Sequence, residues 1–277
     1  MKVWLNGAVV DEADARLSVL DHGVTVGDGA FETLRVYAGR PFSVDRHLER
    51  LAASAAGLGL PPISMESVRA GIAAVVSANE LGDAALRVTL TSGPGPTGSA
   101  RGEGPPTIVV SSSAAPDWAP TSSVWVAPWP RNERGAMVGI KTTSYAENVV
   151  ALAWSRERGG DEALLVNLAG NLCEGTGSNL FVVVNDRLLT PPLSAGCLAG
   201  VTRALILEAS VGAEEADLSR ANLVGATEAF LTSSTRHVHP IATVDGHPLT
   251  AAPGPHTTEA AVAFAALRRA ARESPNW

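Results

Sequence analysis

Several things are scarce in this chain, and each scarcity excludes something. Only two cysteines, Cys173 and Cys197, occur among 277 residues. They cannot build a disulfide framework or a cysteine metal cluster. Apolar runs such as GIAAVVSA are far too short to span a bilayer, and the N-terminal MKVWLNG has no hydrophobic signal core. Basic residues are outnumbered, 21 against 28 acidic, for a net charge of −7. That balance argues against general binding of nucleic acid or of an anionic membrane. No P-loop, H-E-x-x-H, C-x-x-C or G-x-S-x-G motif occurs. Gly175-Thr176-Gly177 lacks the third glycine of a dinucleotide fingerprint. What is left is a globular enzyme, expected in the cytoplasm, with enough chain for one large domain or two small ones.

Lysine is the most telling scarcity. Of the 21 basic residues only Lys2 and Lys141 are lysines. A GC-rich genome replaces surface lysine by arginine without penalty. That explains why lysines are few, not why one survives in mid-chain. Lysine can lose its proton and attack a carbonyl, which arginine cannot. Lys141 is therefore a candidate nucleophile.

The chain reads as α+β in two domains, with hairpins in both rather than regular βαβ alternation. VWL and AVV flank Asn6-Gly7, a two-residue hairpin signal. FETLRVY (31–37) alternates and ends at a Gly39-Arg40-Pro41 turn. A helix follows, capped by Ser43 or Asp45, with Leu48, Leu51, Ala52, Ala55 and Leu58 at helical spacing. Pro61-Pro62 breaks it, and Ser64 caps a second helix. ALRVTLTS (85–92) and TIVVSSS (107–113) are expected strands, joined by a Gly/Pro loop too long for a tight turn. SSSAAPDWAP (111–120) is the expected linker region. The boundaries adopted are a small domain over 1–112, a linker over 113–122 and a larger domain over 123–277. In the second part SSVWVAP, DEALLVN, NLFVVVN, RLLTPP, EAFLTSS and HPIATV read as strands. AENVVALAWSRERG, VTRALILEAS and TTEAAVAFAALRRAARE read as helices. No internal repeat is present.

Five features around Lys141 have a chemical reading, and most have a structural one beside it. Tyr145 sits four residues on; its phenol could face a cofactor, or simply form the lip of the following helix. Glu174, in NLCEGTGSNLF, could pair with a protonated ring nitrogen, or cap the Gly-Thr-Gly turn through backbone N–H groups. Gly200-Val201-Thr202-Arg203 opens a helix, whose free N–H groups and dipole favour an anion. Ser233-Ser234-Thr235 ends a strand with three hydroxyls, although serine runs are usually loops. Arg50, in HLERLAASA, could close on a phosphate with a bidentate fork, or be solvated surface. Together these supply the parts of a pyridoxal phosphate site: an amine, a carboxylate, a phenol and a phosphate cup. His237-x-His239 could be two metal ligands, but strand alternation explains the spacing equally well, and no metal is expected.

Several stretches resemble the class IV aminotransferases, the pyridoxal phosphate enzymes of fold type IV. They are DHGVTVGDGAFETLRVYAGRPFSVDRHLERLAASA, GIKTTSYAENVVA, EALLVNLAGNLCEGTGSNLFVV and TPPLSAGCLAGVTRALI. They cover nearly the whole chain in the family's order. The resemblance implies a small N-terminal α/β domain and a larger C-terminal pseudo-barrel domain, with pyridoxal 5′-phosphate between them, usually in a homodimer. It implies that Lys141 is the Schiff-base lysine, Glu174 the ring-nitrogen carboxylate and Tyr145 the tyrosine near the ring oxygen. Arg50, Val201 (through its backbone), Thr202 and Ser234 match the phosphate cup, with Ser233 beside it. The implied partners are a small-molecule amino donor and a keto acid acceptor.

Within the family, FET at 31–33 departs from the FEG pattern associated with branched-chain enzymes, and Val26 stands where those carry Tyr. The R-x-H pair of familiar D-amino-acid enzymes is missing: Arg101 has no His after it. Arg87 and Arg101 are alternative binders of a substrate carboxylate, and Phe31 and Thr235 are further expected substrate contacts. These departures point to a transaminase acting on a D-amino acid or an (R)-amine. The alternatives are an aminodeoxychorismate lyase giving 4-aminobenzoate and pyruvate, an L-branched-chain transaminase and a non-catalytic binding protein.

Overall fold

The computed structural model describes residues 1–209 and 211–273. It is α+β, and the chain divides into two compact units. The first unit holds Met1–Pro116, the short segment Ile140–Tyr145 and the last described residues from Ala270; the second holds Asp117–Gly139 and Ala146–Arg269. The first boundary falls after Pro116. The Ile140–Tyr145 segment joins the first unit although its chain neighbours on both sides belong to the second, which contiguous domain boundaries cannot express.

In the first unit β1 (Lys2–Leu5) and β2 (Ala8–Asp11) form the hairpin around Asn6-Gly7, both residues at positive φ as that turn requires. A short α1 (His22–Thr25) leads into β3 (Gly29–Tyr37), which turns back as β4 (Arg40–Pro41). Then come α2 (Val44–Gly57), α3 (Met65–Ala78), β5 (Ala84–Thr91) and β6 (Thr107–Ala114). The sheet order is β2-β1-β6-β5-β3-β4. β6 runs through residues 111–114, so the first part of the expected linker region is strand. Ser64 caps α3 as expected, its side chain accepting from the Ser67 N–H at 3.2 Å. Ser43 does not cap α2: it is left-handed (φ 54°), with no side-chain cap bond, and the helix stops at Gly57, before Leu58. Leu34, Val36, Leu86, Val88, Leu90 and Val110 line one sheet face and pack on Val44, Leu48 and Leu51 of α2 and Val68, Ile72 and Val75 of α3. Each such buried side chain contributes about 1.5–3 kcal/mol against exposure.

In the second unit β7 (Ser122–Val126) is followed by α4 (Ala146–Arg156), β8 (Glu162–Val166), β9 (Leu172–Gly175), β10 (Asn179–Val184) and β11 (Arg187–Thr190). Next are α5 (Val201–Glu208), β12 (Glu214–Glu215), α6 (Arg220–Val224), β13 (Glu228–Ser233), β14 (His237–Val244), β15 (His247–Pro248) and α7 (Pro255–Glu273). The nine strands make one curled half-barrel sheet in the order β12-β11-β10-β13-β14-β7-β8-β9, with β15 on β14. Its core includes Val124, Leu164, Leu172, Leu180, Val182, Leu231 and Ile241. Ser210, the last residue of the expected helix over 201–210, lies outside the described residues. No helix among the described residues is long and apolar enough to cross a membrane.

Candidate active site

In the first unit the Ile140–Tyr145 segment lies along the start of β3, with Thr142 bridged antiparallel to Ala30. The Phe31 N–H donates to the Lys141 carbonyl at 2.9 Å, and the Thr143 N–H to the Gly29 carbonyl at 2.8 Å. Gly29 is required there, because a Cβ would collide with the Leu90 carbonyl on β5 and press on Thr143 Oγ1. From α2, Ser54 Oγ accepts from the Lys141 N–H at 3.1 Å. Lys141 is thus held by backbone on two sides, and its side chain projects over Phe31, with Nζ 4.4 Å from the ring centroid. Tyr145 meets the same ring edge-on at 5.1 Å. The Arg87 guanidinium of β5 stacks on it at 3.4 Å. β3 and β5 pair antiparallel, with Thr33 opposite Arg87 and Thr89 opposite Phe31. One sheet face therefore gathers an amine, a phenol, a guanidinium and a buried aromatic plate.

The two expected carboxylate binders differ sharply. Arg87 donates Nε to Thr89 Oγ1 at 3.2 Å and has no carboxylate within ion-pair distance among the described residues. Burial lowers its pKa, with Tyr145 and Glu32 working against that. Arg101 grips Asp28 with Nε and Nη2, both at 2.6 Å, and also donates to the Gly59 and Leu58 carbonyls. Its fork pins the Gly/Pro loop to the start of β3 and to the residues after α2.

Arg50 lies on the opposite, helix-covered side of β3. Its Nε and Nη2 donate to Glu32 Oε1 and Oε2, both at 2.8 Å, and His47 Nδ1 lies 2.7 Å from Glu32 Oε2. Glu32 and His47 are 0% and 1% exposed. Burial works to raise the Glu32 pKa, but hydrogen bonds from Arg50 and His47 overcome it and hold the carboxyl at about 2. Burial lowers the His47 pKa despite the adjacent carboxylate, so His47 is neutral and donates Nδ1–H. The sequence reading missed both residues. Glu32 is the one charged side chain on the inward phase of the β3 alternation, and His47 precedes Arg50 by one helical turn; those two facts were the traces available.

In the second unit Glu174 lies on β9, opposite Leu165 of β8. β9 itself was not expected as a strand. The Gly-Thr-Gly turn is held by the buried Glu162, which accepts from the Thr176 N–H at 3.0 Å, from Thr176 Oγ1 and from Ser178 Oγ at 3.1 Å. Glu174 Oε2 instead accepts from the Leu198 N–H at 2.9 Å, and Oε1 lies 3.8 Å from Arg131 Nη2. Asn179 Nδ2 donates to the Leu198 carbonyl at 2.9 Å. Glu174 and Asn179 thus order the loop that enters α5. Gly200 is the N-cap of α5, supplies no side-chain cap, and has no room for a Cβ beside Asn179. Val201 and Thr202, both buried, form the first turn, and α5 packs on β13. Ser233 ends β13, its Oγ accepting from the Arg236 N–H at 3.0 Å; Ser234 and Thr235 follow in the turn. The ring of His237 lies against Phe264 and that of His239 against Trp118. Among the described residues no group of His, Cys, Asp or Glu is arranged to hold a metal.

These residues fit pyridoxal phosphate. A helix start without a side-chain cap and closed to any Cβ suits a phosphate, the Lys141 amine lies over an aromatic ring, and the Leu198 N–H orients the Glu174 carboxylate. The sequence profile of amino-transferase class IV matches residues 29–244. The chain therefore belongs to the class IV aminotransferase family, whose enzymes depend on pyridoxal 5′-phosphate. It is 35% identical to a provisionally named branched-chain-amino-acid aminotransferase of Methanocaldococcus jannaschii, over 89% of this chain and 88% of that one. It is 30% identical to a D-alanine aminotransferase of Bacillus licheniformis, over 93% of each. The crystal structure of a branched-chain aminotransferase from Thermoproteus uzoniensis with norvaline matches with a TM-score of 0.89 at 31% identity, covering 98% of this chain and 94% of that one.

Proposed function

We propose that the protein is an amino-acid transaminase that moves an amino group from a D-amino acid to a 2-keto acid, with Lys141 as the covalent and proton-moving residue. The observation that carries this reading is the Phe31 plate, which holds the Lys141 amine and an Arg87 guanidinium without a carboxylate partner. The two cationic groups lie no further apart than the sum of their distances to one ring centroid. That reach suits a substrate whose carboxylate is bonded to the carbon that loses its proton. Arg87 would take the carboxylate bidentately, with Phe31 and Thr235 as neighbouring substrate contacts.

Pyridoxal phosphate, when bound, supplies a ring that withdraws the negative charge left at the substrate α-carbon. Lys141 Nζ would hold the cofactor covalently and would also move the proton at the substrate α-carbon. Glu174 would keep a proton on the ring nitrogen, and its Leu198 N–H partner fixes its aim. Tyr145 would donate its phenol O–H to the ring oxygen. Arg50, the Val201 and Thr202 amides, Ser233 and Ser234 would hold the phosphate. The exposed apolar side chains Leu17, Val19, Leu20, Val24 and Val26 support assembly with a second copy of the chain, checked by sedimentation.

A second reading, an L-branched-chain transaminase, is supported by the Methanocaldococcus and Thermoproteus relatives. A third, an aminodeoxychorismate lyase, is supported by a 29% identical Bacillus subtilis protein of that name, over 88% of this chain and 86% of that one. The test is the spectral half-reaction. D-Alanine or D-glutamate should convert the bound cofactor to its aminated form quickly, and L-leucine slowly. Fast conversion by L-leucine supports the branched-chain reading. Release of pyruvate and 4-aminobenzoate from aminodeoxychorismate, with no keto acid consumed, supports the lyase.

A further inference from the structure

Glu32 is an unusual residue to find in a core. It is a fully buried carboxylate on a strand face otherwise lined by Ala30, Leu34 and Val36, and opposite Val88 of β5. A charge in that setting costs several kcal/mol unless paired and hydrogen-bonded. Here it takes three donors, two from Arg50 and one from His47. The cost of burial is met, but that alone does not explain why an ionic cluster sits where leucine would serve.

The geometry of Arg50 suggests the reason. A guanidinium is planar with five N–H donors. Fork-on-fork pairing through Nε and Nη2 fixes both the plane and the rotation of the group about its own axis. Whatever the rest of the guanidinium faces is therefore set by Glu32. His47 fixes the carboxylate in turn, holding Oε2 from the same helix, one turn before Arg50. Two turns beyond His47, Ser54 holds the Lys141 backbone N–H. One face of α2 thus governs both the aim of Arg50 and the placement of Lys141.

We propose that Glu32 is a positioning residue that orients the Arg50 guanidinium to receive the phosphate of the cofactor, with His47 as the brace that holds the Glu32 carboxylate in register. The inference rests on the reading of Arg50 as a phosphate ligand. Glu32 touches neither cofactor nor substrate in this account; it acts through Arg50.

The test starts from holoenzyme and measures cofactor retained at equilibrium dialysis by its visible band. Pyridoxal 5′-phosphate is used in one series and pyridoxal, which lacks the phosphate, in the other. E32Q removes the charge; E32D keeps it but withdraws the carboxylate by one methylene, so a folded variant with a mis-aimed fork remains if E32Q does not fold. Both should weaken retention of the phosphorylated cofactor about 10–100-fold, the worth of a mis-set charge-assisted pair, and leave pyridoxal retention unchanged. R50M should show the same selectivity, and E32D/R50M should be no worse than R50M. Equal losses for the two cofactors, wild-type retention in E32D and E32Q, or additive losses in the double variant would overturn the inference. If R50M itself shows no selectivity for the phosphorylated form, the phosphate reading of Arg50 fails and the inference goes with it. Selective R50M with unaffected Glu32 variants sinks the inference alone.

Discussion

The two faces of β3 solve opposite problems with neighbouring residues. Phe31 faces the side where Lys141, Arg87 and Tyr145 converge; Glu32, the next residue, faces the helix-covered core. On the first face a cation, Arg87, has no carboxylate partner among the described residues, and the Lys141 amine lies 4.4 Å from the centroid of an aromatic ring. On the second a buried carboxylate and imidazole and a half-buried guanidinium are joined by three hydrogen bonds. The period-2 alternation of a strand allows both within 3.3 Å of rise. On the function proposed above, Arg87 on the first face would meet the substrate, and the ion cluster on the second would aim the phosphate ligand.

If that contrast is right, substitutions on the two faces should fail in different ways. The largest effect is expected for K141R, which keeps a cation over Phe31 but no nucleophile. Turnover should fall by at least about 10²–10⁴-fold, the share of general-base catalysis alone, with unfolding by urea nearly unchanged. E32Q should act on the fold as well as on cofactor retention, destabilising the protein by about 3 kcal/mol, since it leaves the half-buried Arg50 cation without its counter-charge. An equal loss of stability in both variants would erase the contrast.

Acid should act on the buried face. The folded Glu32 carboxyl is held at about 2, below its ordinary 4.5. Its contribution is present above pH 4.5 and lost as pH falls through about 2, worth about 3 kcal/mol in full. His47, neutral in the fold, adds to the loss once pH falls below its ordinary 6.5. Urea midpoints between pH 7 and pH 3 should fall steeply in the wild type and more gently in E32Q. Parallel slopes would show that Glu32 is not ionised in the fold.

R87L should lower kcat/KM for amino acids about 10–100-fold and leave (R)-1-phenylethylamine, which has no carboxylate, unaffected. Its stability should stay within about 0.5 kcal/mol. A comparable loss with both donors would remove Arg87 from substrate recognition. The smallest effect belongs to R101A. Its exposed pair with Asp28 is worth about 0.2–1 kcal/mol and weakens with salt. A loss of amino-acid turnover as large as that of R87L would return Arg101 to the site.

Local chemistry was legible in the sequence where the determinants are local. The Asn6-Gly7 hairpin, the Ser64 cap and the alternation of β3 each lie within a few residues. Lys141, Tyr145 and Glu174 stood out because their types are rare or their settings apolar. What escaped depends on partners distant in sequence. Glu32 acquires meaning only from His47 and Arg50, and Arg101 only from Asp28, 73 residues away. β9 is four residues long, too short for alternation to declare itself. The choice between Glu162 and Glu174 as the turn cap depends on the β8–β9 register, which no local pattern encodes. Ser43 has a good capping side chain, but its left-handed backbone aims that side chain away.

The central claim is that one of the two lysines in the chain carries the cofactor. Holoenzyme reduced with borohydride and digested should yield the pyridoxyl group on the peptide containing Lys141, and the same treatment of K141R should yield none. Label on Lys2, or no visible band in wild-type protein supplied with pyridoxal 5′-phosphate, would contradict it.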